Sequence, residues 1–397
     1  MRKLKKALVQ GTLLLYIRKK LDQIIGKISK RLFYSHNKIQ NNKVFFMTYN
    51  NQYCDNEKYI AEEILRQELP VDLVWAQPKK GKKPRSFPEE VRTVKRGTFD
   101  MFEEQATAKI WIDNALNCVW FNIPKKKSQV YINTWHGSMG IKRLGGNDDW
   151  MKKAQRCKKA TNYCTTNSQF EEDIFRSTFW PENEFMKIGH PRNDILINKE
   201  KHDEIRDKVF EELGIPEGKK LALYAPTFRD DGDLTCFDLD YEAMRQALEE
   251  KFGGEWVVLV RLHFKNKKSA SKIDTDDTNI INASGYFDMQ ELMAVVDLGI
   301  TDYSSWAYDY ILTGRPLLIY ATDIEKYNTD RGFYYSLETT PFPIATNNEE
   351  MIKNIQEFDN NLYLENVKKF LEEKGCYETG QAAKLVVDKI KEIVGID

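Results

Sequence analysis

The fold is decided by residues 297–320, "DLGITDYSSWAYDYILTGRPLLIY". The run "LGIT" is short, apolar and bounded by polar residues, as a buried strand is. Asp302, Ser304 and Ser305 then supply side chains preferred at a helix N-cap. "WAYDYIL" continues as the helix, Gly314 ends it, and Pro316 leads into a second apolar run, "LLIY". Strand, helix and strand in close succession predict a βαβ unit with parallel pairing.

The same alternation fills the rest of the chain. "KVFFMTY" (43–49) is an apolar run bounded by asparagines, and a helical stretch with Ile60, Ile64 and Leu65 on one face follows it. "VDLVWAQ" (71–77), "AKIWIDNA" (108–115), "QVYINTWHG" (129–137), "YCTTNS" (163–168) and "FMKIGHPRND" (185–194) come next. Residues 198–220 are densely charged and predict a helix ending at Leu213-Gly214, with Pro216 beyond as a stop. The strand-like runs restart with "LALYAPTFR" (221–229), "WVVLVRLHF" (256–264) and "NIINAS" (279–284). No solenoid or propeller period is present. The expected architecture is α/β, with a basic segment at residues 1–40 and two Rossmann-like domains at 41–205 and 206–397. The last helix is free to pack back on the first domain. Two doubly wound domains in tandem place a cleft between them, and ligands sit outside the carboxyl ends of such strands.

The 60 basic and 60 acidic residues balance overall, but residues 1–40 hold eleven Lys/Arg and one acid, Asp22. The most apolar part of this arm, 7–17, is about 11 residues long, whereas a membrane span needs about 20. Arg18, Lys19 and Lys20 follow it, where a cleaved signal needs small residues. Leu14, Ile17, Leu21, Ile24, Ile25 and Ile28 recur at three- and four-residue steps and make one helical face, opposite Lys and Arg. Such a helix lies on an anionic membrane surface, each basic residue contributing about 1 kcal/mol. A helix packed on its own domain is the plainer alternative. Nucleic acid is disfavoured as a partner, because basic residues interleaved with aromatics do not continue into the body. The six cysteines form no CxxC pair, which argues against a zinc site or disulfide framework and for a reducing compartment. Neither GxxxxGK[ST] nor GxGxxG occurs.

Polar residues gather at the ends of the strand-like runs. His136 ends "VYINTW", Arg192 and Asp194 follow "FMKIGHP", and Thr227 and Arg229 end "LALYAP". Arg261 and His263 end "WVVLV"; two residues apart on a strand, they share a face. Arginine presents a fixed fork to phosphate oxygens. Ser304 and Ser305 at a helix start either cap it or hold a phosphate. With Arg229 and Lys142 added, cations converge on one crevice, and a diphosphate is the natural occupant. His136 titrates near pH ~6.5 and suits removal of a proton from an alcohol, the alternative being a satisfied core histidine. Gly137 leaves room for an acceptor, and Asp194 would orient the imidazole or bind acceptor hydroxyls. "DTDD" (274–277) reads as a solvated loop, so neither a metal nor a cofactor is expected.

Taken together, "TWHGSMGIKRLG", "GHPRND", "YAPTFRD", "RLH", "DLGITDYSSWAYDY", "RPLLIY" and "RGFYY" resemble the CDP-glycerol glycerophosphotransferase family of teichoic acid primases and polymerases. The resemblance covers roughly residues 43–394. It implies a GT-B-like pair of Rossmann-like domains facing across a cleft. It implies transfer of glycerol phosphate, or ribitol phosphate, from CDP-glycerol or CDP-ribitol to a hydroxyl of a lipid-linked glycan acceptor, with release of CMP. His136 maps to the proposed base. Arg261 and His263 map to donor phosphate ligands, and Ser304 and Ser305 to the pyrophosphate site. Arg229 maps to the arginine after Ala-Pro-Thr, and Asp194 to an aspartate near the active site. Lys142, Thr227 and Asp302 complete the candidate set. A peripheral protein on the cytoplasmic face of the cell membrane is implied, with room for a homo-oligomer. "WHGSMGIK" departs from the usual Trp-His-Gly-Thr-Pro-Leu-Lys, and "CYETGQAA" stands where Asp-Gly is common. Only about forty residues precede the first strand, which leans towards a primase or short-chain transferase. A nucleotide-sugar glycosyltransferase of the same plan is the alternative, since fold does not fix function.

Overall fold

The computed structural model describes residues 37–396 apart from 50–51, 79–86, 120–122, 139, 145–147, 181, 230–237 and 263–277, and residues 17, 20, 21, 24, 27, 28 and 30–34 of the arm. Two parallel sheets organise it. The first is built from β1 (Gln40–Met47), β2 (Asp72–Gln77), β3 (Arg92–Lys95), β4 (Ala108–Asp113), β5 (Val130–Asn133), β6 (Tyr163–Thr166) and β7 (Glu184–Lys187). Their spatial order is β3-β2-β1-β4-β5-β6-β7. The second is built from β8 (Lys220–Tyr224), β9 (Trp256–Val260), β10 (Ile280–Asn282), β11 (Leu298–Thr301), β12 (Leu317–Tyr320) and β13 (Ile344–Ala345). Their order is β10-β9-β8-β11-β12-β13.

Both sheets therefore run outwards from a central strand, jump back over it and continue on the other side. The reversal falls between β1 and β4, where Phe46 pairs with Ile112, and between β8 and β11, where Tyr224 pairs with Ile300. Loops leaving the two neighbouring strands diverge at such a point and open a crevice. Val44, Phe45, Phe46 and Met47 of β1 are all fully buried, which is why that run is continuously apolar rather than alternating. The strands missing from the sequence reading, β3 and β13, are short edge strands with no apolar run to announce them.

The unit at residues 297–320 forms as its residues dictate. β11 is followed by the helix Trp306–Tyr310, a 3-10 turn at Ile311–Thr313, then Gly314 at φ +70° and β12. Gly314 adopts the left-handed conformation that terminates a helix without Cβ strain. The helix Ala382–Val394 follows the second sheet in sequence but lays Val386, Val387 and Ile390 into the core of the first, beside Val44 and Ile112. Across the halves, Lys58 of the helix Asp55–Arg66 donates to Asp288 Oδ2 at 2.6 Å and Glu291 Oε1 at 2.8 Å.

Candidate functional site

A cavity of about 960 Å³ opens at the carboxyl ends of both sheets. Tyr49, Asp55, Trp135, His136 and Arg192 wall it from the first sheet, and Thr227, Arg261, Ser304 and Ser305 from the second.

His136 is the third residue after the end of β5. Its Nδ1 lies 2.5 Å from the backbone carbonyl of Asn114, which follows β4. A carbonyl only accepts, so Nδ1 carries the proton and Nε2 keeps its lone pair. Tyr49 stacks on the imidazole with 5.5 Å between ring centroids and 21° between planes. The ring reaches solvent through the cavity while the surrounding protein desolvates it. That desolvation holds its pKa below the ordinary histidine value, the nearby carboxylates notwithstanding. His136 is then neutral at physiological pH, the form in which it accepts a proton.

The backbone here is strained. Trp135 takes φ +55° and Asp55 φ +62°. A bulky residue in that region costs about 1–3 kcal/mol and persists only when its surroundings over-determine it. Trp135 is so determined, its indole wedged among Phe175, Phe179 and Trp180 at centroid distances of 5.8, 5.0 and 5.8 Å. A Cβ on Gly137 would sit 3.1 Å from the Trp135 Nε1. The room beside Gly137 is thus taken by tryptophan rather than left for an acceptor. A Cβ on Gly140 would lie 3.2 Å from Ser305 Cβ, so the histidine loop approaches the second sheet closely.

The arginines named by the sequence separate. Arg229 is a buried strut: its Nε and Nη2 donate to both oxygens of Asp323 at 2.6 and 2.9 Å, and its Nη1 donates to Asp302 Oδ2 at 2.8 Å and to the Thr227 carbonyl at 2.6 Å. Tyr303 and Tyr327 flank the guanidinium. Asp302 also accepts the Thr227 and Tyr303 amide N–H groups. Neither Arg229 nor Asp302 walls the cavity. The expectation of phosphate contact is corrected for Arg229, and Asp302 is its structural partner, because their charges already compensate each other. Arg261 is the opposite case. It walls the cavity, and among the described residues its Nη2 reaches two carbonyls at 3.5 Å and its buried Nε has no hydrogen-bond partner. Burial pushes its pKa down. An anion in the cavity would relieve that penalty.

Ser304 and Ser305 lie on the cavity wall, as does Lys142, whose backbone bridges to Phe333. Thr227 joins them, with a buried Oγ1 that has no hydrogen-bond partner among the described residues. Asp194 does not. Its two oxygens accept the amide N–H groups of Ala382 at 2.9 Å and Ala383 at 2.7 Å, so it caps the helix Ala382–Val394. Its carboxyl is pushed up to about 6 by burial. The catalytic expectation for Asp194 is corrected to a structural one, because helix N–H groups 188 residues on already take both oxygens. His263 lies outside the described residues. The sequence reading missed Asp55 and Asn114 and gave Arg192 no role. Arg192 donates to Asp55 Oδ1 at 2.8 Å, the Gly137 carbonyl at 2.7 Å and Asp309 Oδ2 at 3.0 Å. The available signal was positional: Asn114 directly follows β4 and Asp55 opens the helix after β1, the two strands that flank the reversal in the first sheet.

A neutral histidine from one sheet and an under-bonded arginine from the other, sharing one cavity, are equipment for moving an anionic group. The model of the CDP-Glycerol:Poly(glycerophosphate) glycerophosphotransferase family matches residues 28–392, and the chain belongs to that family. It is 31% identical over 359 residues to the teichoic acid poly(glycerol phosphate) polymerase of Staphylococcus epidermidis, covering 85% of this chain and 48% of that protein. It therefore spans about half the length of that relative. It is 30% identical over 375 residues to the teichoic acid glycerol-phosphate transferase of Staphylococcus aureus, covering 88% and 92% of the two chains. The solved structure of the wall teichoic acid polymerase TagF soaked with CDPG matches with a TM-score of 0.81 at 26% identity, over 99% of this chain and 98% of that one.

Proposed function

We propose that this protein transfers glycerol phosphate from CDP-glycerol to a hydroxyl of a lipid-linked glycan acceptor, releasing CMP, in the synthesis of a teichoic acid or related cell-surface polymer. The observation that carries the reading is the pairing of neutral His136 with under-bonded Arg261 in one cavity. His136 Nε2 takes the acceptor's proton. The acceptor oxygen forms a bond to the β-phosphorus, the bond from that phosphorus to the bridging oxygen breaks, and CMP leaves with the electron pair. Arg261, Ser304, Ser305 and Thr227 hold phosphate oxygens, and the Arg229–Asp302 pair fixes the Thr227 loop from behind. Phosphoryl transfer depends mostly on positioning and electrostatics, which these groups supply. The two sheets serve as the GT-B-like pair of Rossmann-like domains, meeting near residue 205.

The arm places the enzyme at the cytoplasmic membrane face. Ile17, Leu21, Ile24 and Ile28 are helical and between 44% and 53% exposed. Their spacing puts them on one face of the helix, free to enter a lipid interface. Leu14 and Ile25 lie outside the described residues. Among the described residues no helix is long and apolar enough to cross a membrane, so the association is peripheral in this reading.

The test is CMP release with a membrane acceptor present, with CDP-glycerol, CDP-ribitol and a UDP-sugar offered in parallel. CMP from CDP-glycerol supports the reading. Turnover of CDP-ribitol alone would move the donor to ribitol. Turnover of the UDP-sugar alone would replace the reading with a glycosyltransferase.

A further inference from the structure

Asn114 ties three things to the histidine at once. Its carbonyl accepts the His136 Nδ1–H at 2.5 Å, its Oδ1 accepts the Tyr49 amide N–H at 2.8 Å, and its Nδ2 donates to Asp55 Oδ2 at 2.8 Å. Asp55 is fixed in turn by Arg192 Nη1 at 2.8 Å and by the Asn56 amide N–H at 2.9 Å. Arg192 continues to the Gly137 carbonyl, on the histidine's own loop, and to Asp309, on the helix behind Ser304 and Ser305. The left-handed backbone of Asp55, φ +62°, marks a position that its surroundings hold in place.

We propose that Asp55 is the positioning residue of the His136 base. Through Asn114 it keeps the imidazole in the tautomer with Nε2 free, and its charge offsets the imidazolium formed when the acceptor's proton is taken. The inference rests on the reading of His136 as the base. One residue intervenes where a hydrolase triad bonds its carboxylate to the histidine directly. The charged groups that act on the ring are Asp55 and Asp113, which favour imidazolium, and Arg192, which opposes it. Arg192 also binds Asp309, so the same link ties the base to the serine-bearing side of the cavity.

Asp55→Asn tests this, because asparagine also tolerates positive φ and the substitution removes the charge while keeping the backbone. In the full chain, the ring nitrogens of His136 are followed by 15N NMR across pH, and kcat and KM for CDP-glycerol are measured beside them. The expected result is a lower imidazole pKa, a larger share of the Nε2-protonated tautomer and a largely unchanged KM. The expected fall in kcat is about 10- to 100-fold, the worth of one hydrogen bond to a charged group. A folded Asp55→Asn protein with the ring titration and tautomer of the wild type overturns the proposal. His136→Ala separates the two claims. If it stays active while Asp55→Asn still shifts the ring, the base reading fails and the Asp55–His136 link stands. Should Asp55→Asn not fold, Asn114→Ala cuts the same link from its other end. Unchanged ring signals and unchanged kcat there overturn the proposal equally.

Discussion

Arg229 and Arg261 follow adjacent, paired strands of the second sheet, β8 and β9, and meet different surroundings. Arg229 is held by both oxygens of Asp323 and one of Asp302, with two tyrosine rings against it. Among the described residues, Arg261 has two long contacts to carbonyls and a buried nitrogen without a hydrogen-bond partner. The first cation is neutralised within the fold and acts as a strut. The second is the one we propose to meet an anion from outside. An arginine at the end of a strand is therefore read by its partners and not by its motif. The same contrast separates the two sheets: with one strand order between them, the first brings His136 to the cavity and the second Arg261, the proposed base and the proposed anion ligand.

The largest effect expected is on the base. His136→Ala should lower kcat by about 10² to 10⁴. In the wild type, the acid limb of kcat/KM should fall below the ordinary histidine pKa of about 6.5, because desolvation by the surrounding cavity wall favours the neutral ring. A pH–rate profile checks the second point, and an acid limb above pH ~6.5 would count against a desolvated base.

Arg229→Ala would strand two carboxylates and should cost about 3–5 kcal/mol of folding stability, read from urea denaturation. A stable Arg229→Ala protein with weakened donor binding would erase the distinction between the two arginines. Arg261→Ala should leave the urea midpoint unchanged or higher, since it removes a half-buried charge whose desolvation outweighs the help it has from Asp288. It should raise the KM for CDP-glycerol by about 10- to 100-fold, the worth of one charge-assisted contact.

Asp194→Ala removes a helix cap. It should cost about 1 kcal/mol of stability and leave kcat close to wild type. A collapse of kcat at unchanged stability would return Asp194 to the chemistry.

The smallest effect concerns pH. The half-buried Glu378 carboxyl is pushed up to about 8 by desolvation, from an ordinary value of 4.5. The folded protein then keeps a proton that the unfolded chain has lost. Stability falls as pH rises through the window from 4.5 to about 8. Glu378→Gln should flatten that fall, as thermal unfolding at several pH values within the window would record.

Much of the framework was legible in the sequence. Central strands buried on both faces are continuous apolar runs, and β1, β4, β8 and β11 announce themselves in that way. Edge strands β3 and β13 do not, because edge position demands no apolar side chains. The ends of strands were legible too, and with them the placing of His136 and Arg261 around one cavity. Partners distant in sequence were not. Asp302 and Asp323 lie 73 and 94 residues from Arg229, and no local pattern tells that they claim it. Asp194 was misread for the same reason. The tautomer of His136 is set by a carbonyl 22 residues earlier, which only the pairing of β4 with β5 brings alongside.

The central claim is a division of labour, base on one sheet and donor phosphates on the other. Calorimetric titration of CDP-glycerol into the His136→Ala and Arg261→Ala proteins tests it most directly. The account predicts that His136→Ala binds the donor as wild type does without turning it over, while Arg261→Ala binds it weakly. Donor binding lost in His136→Ala, or undiminished in Arg261→Ala, would contradict it.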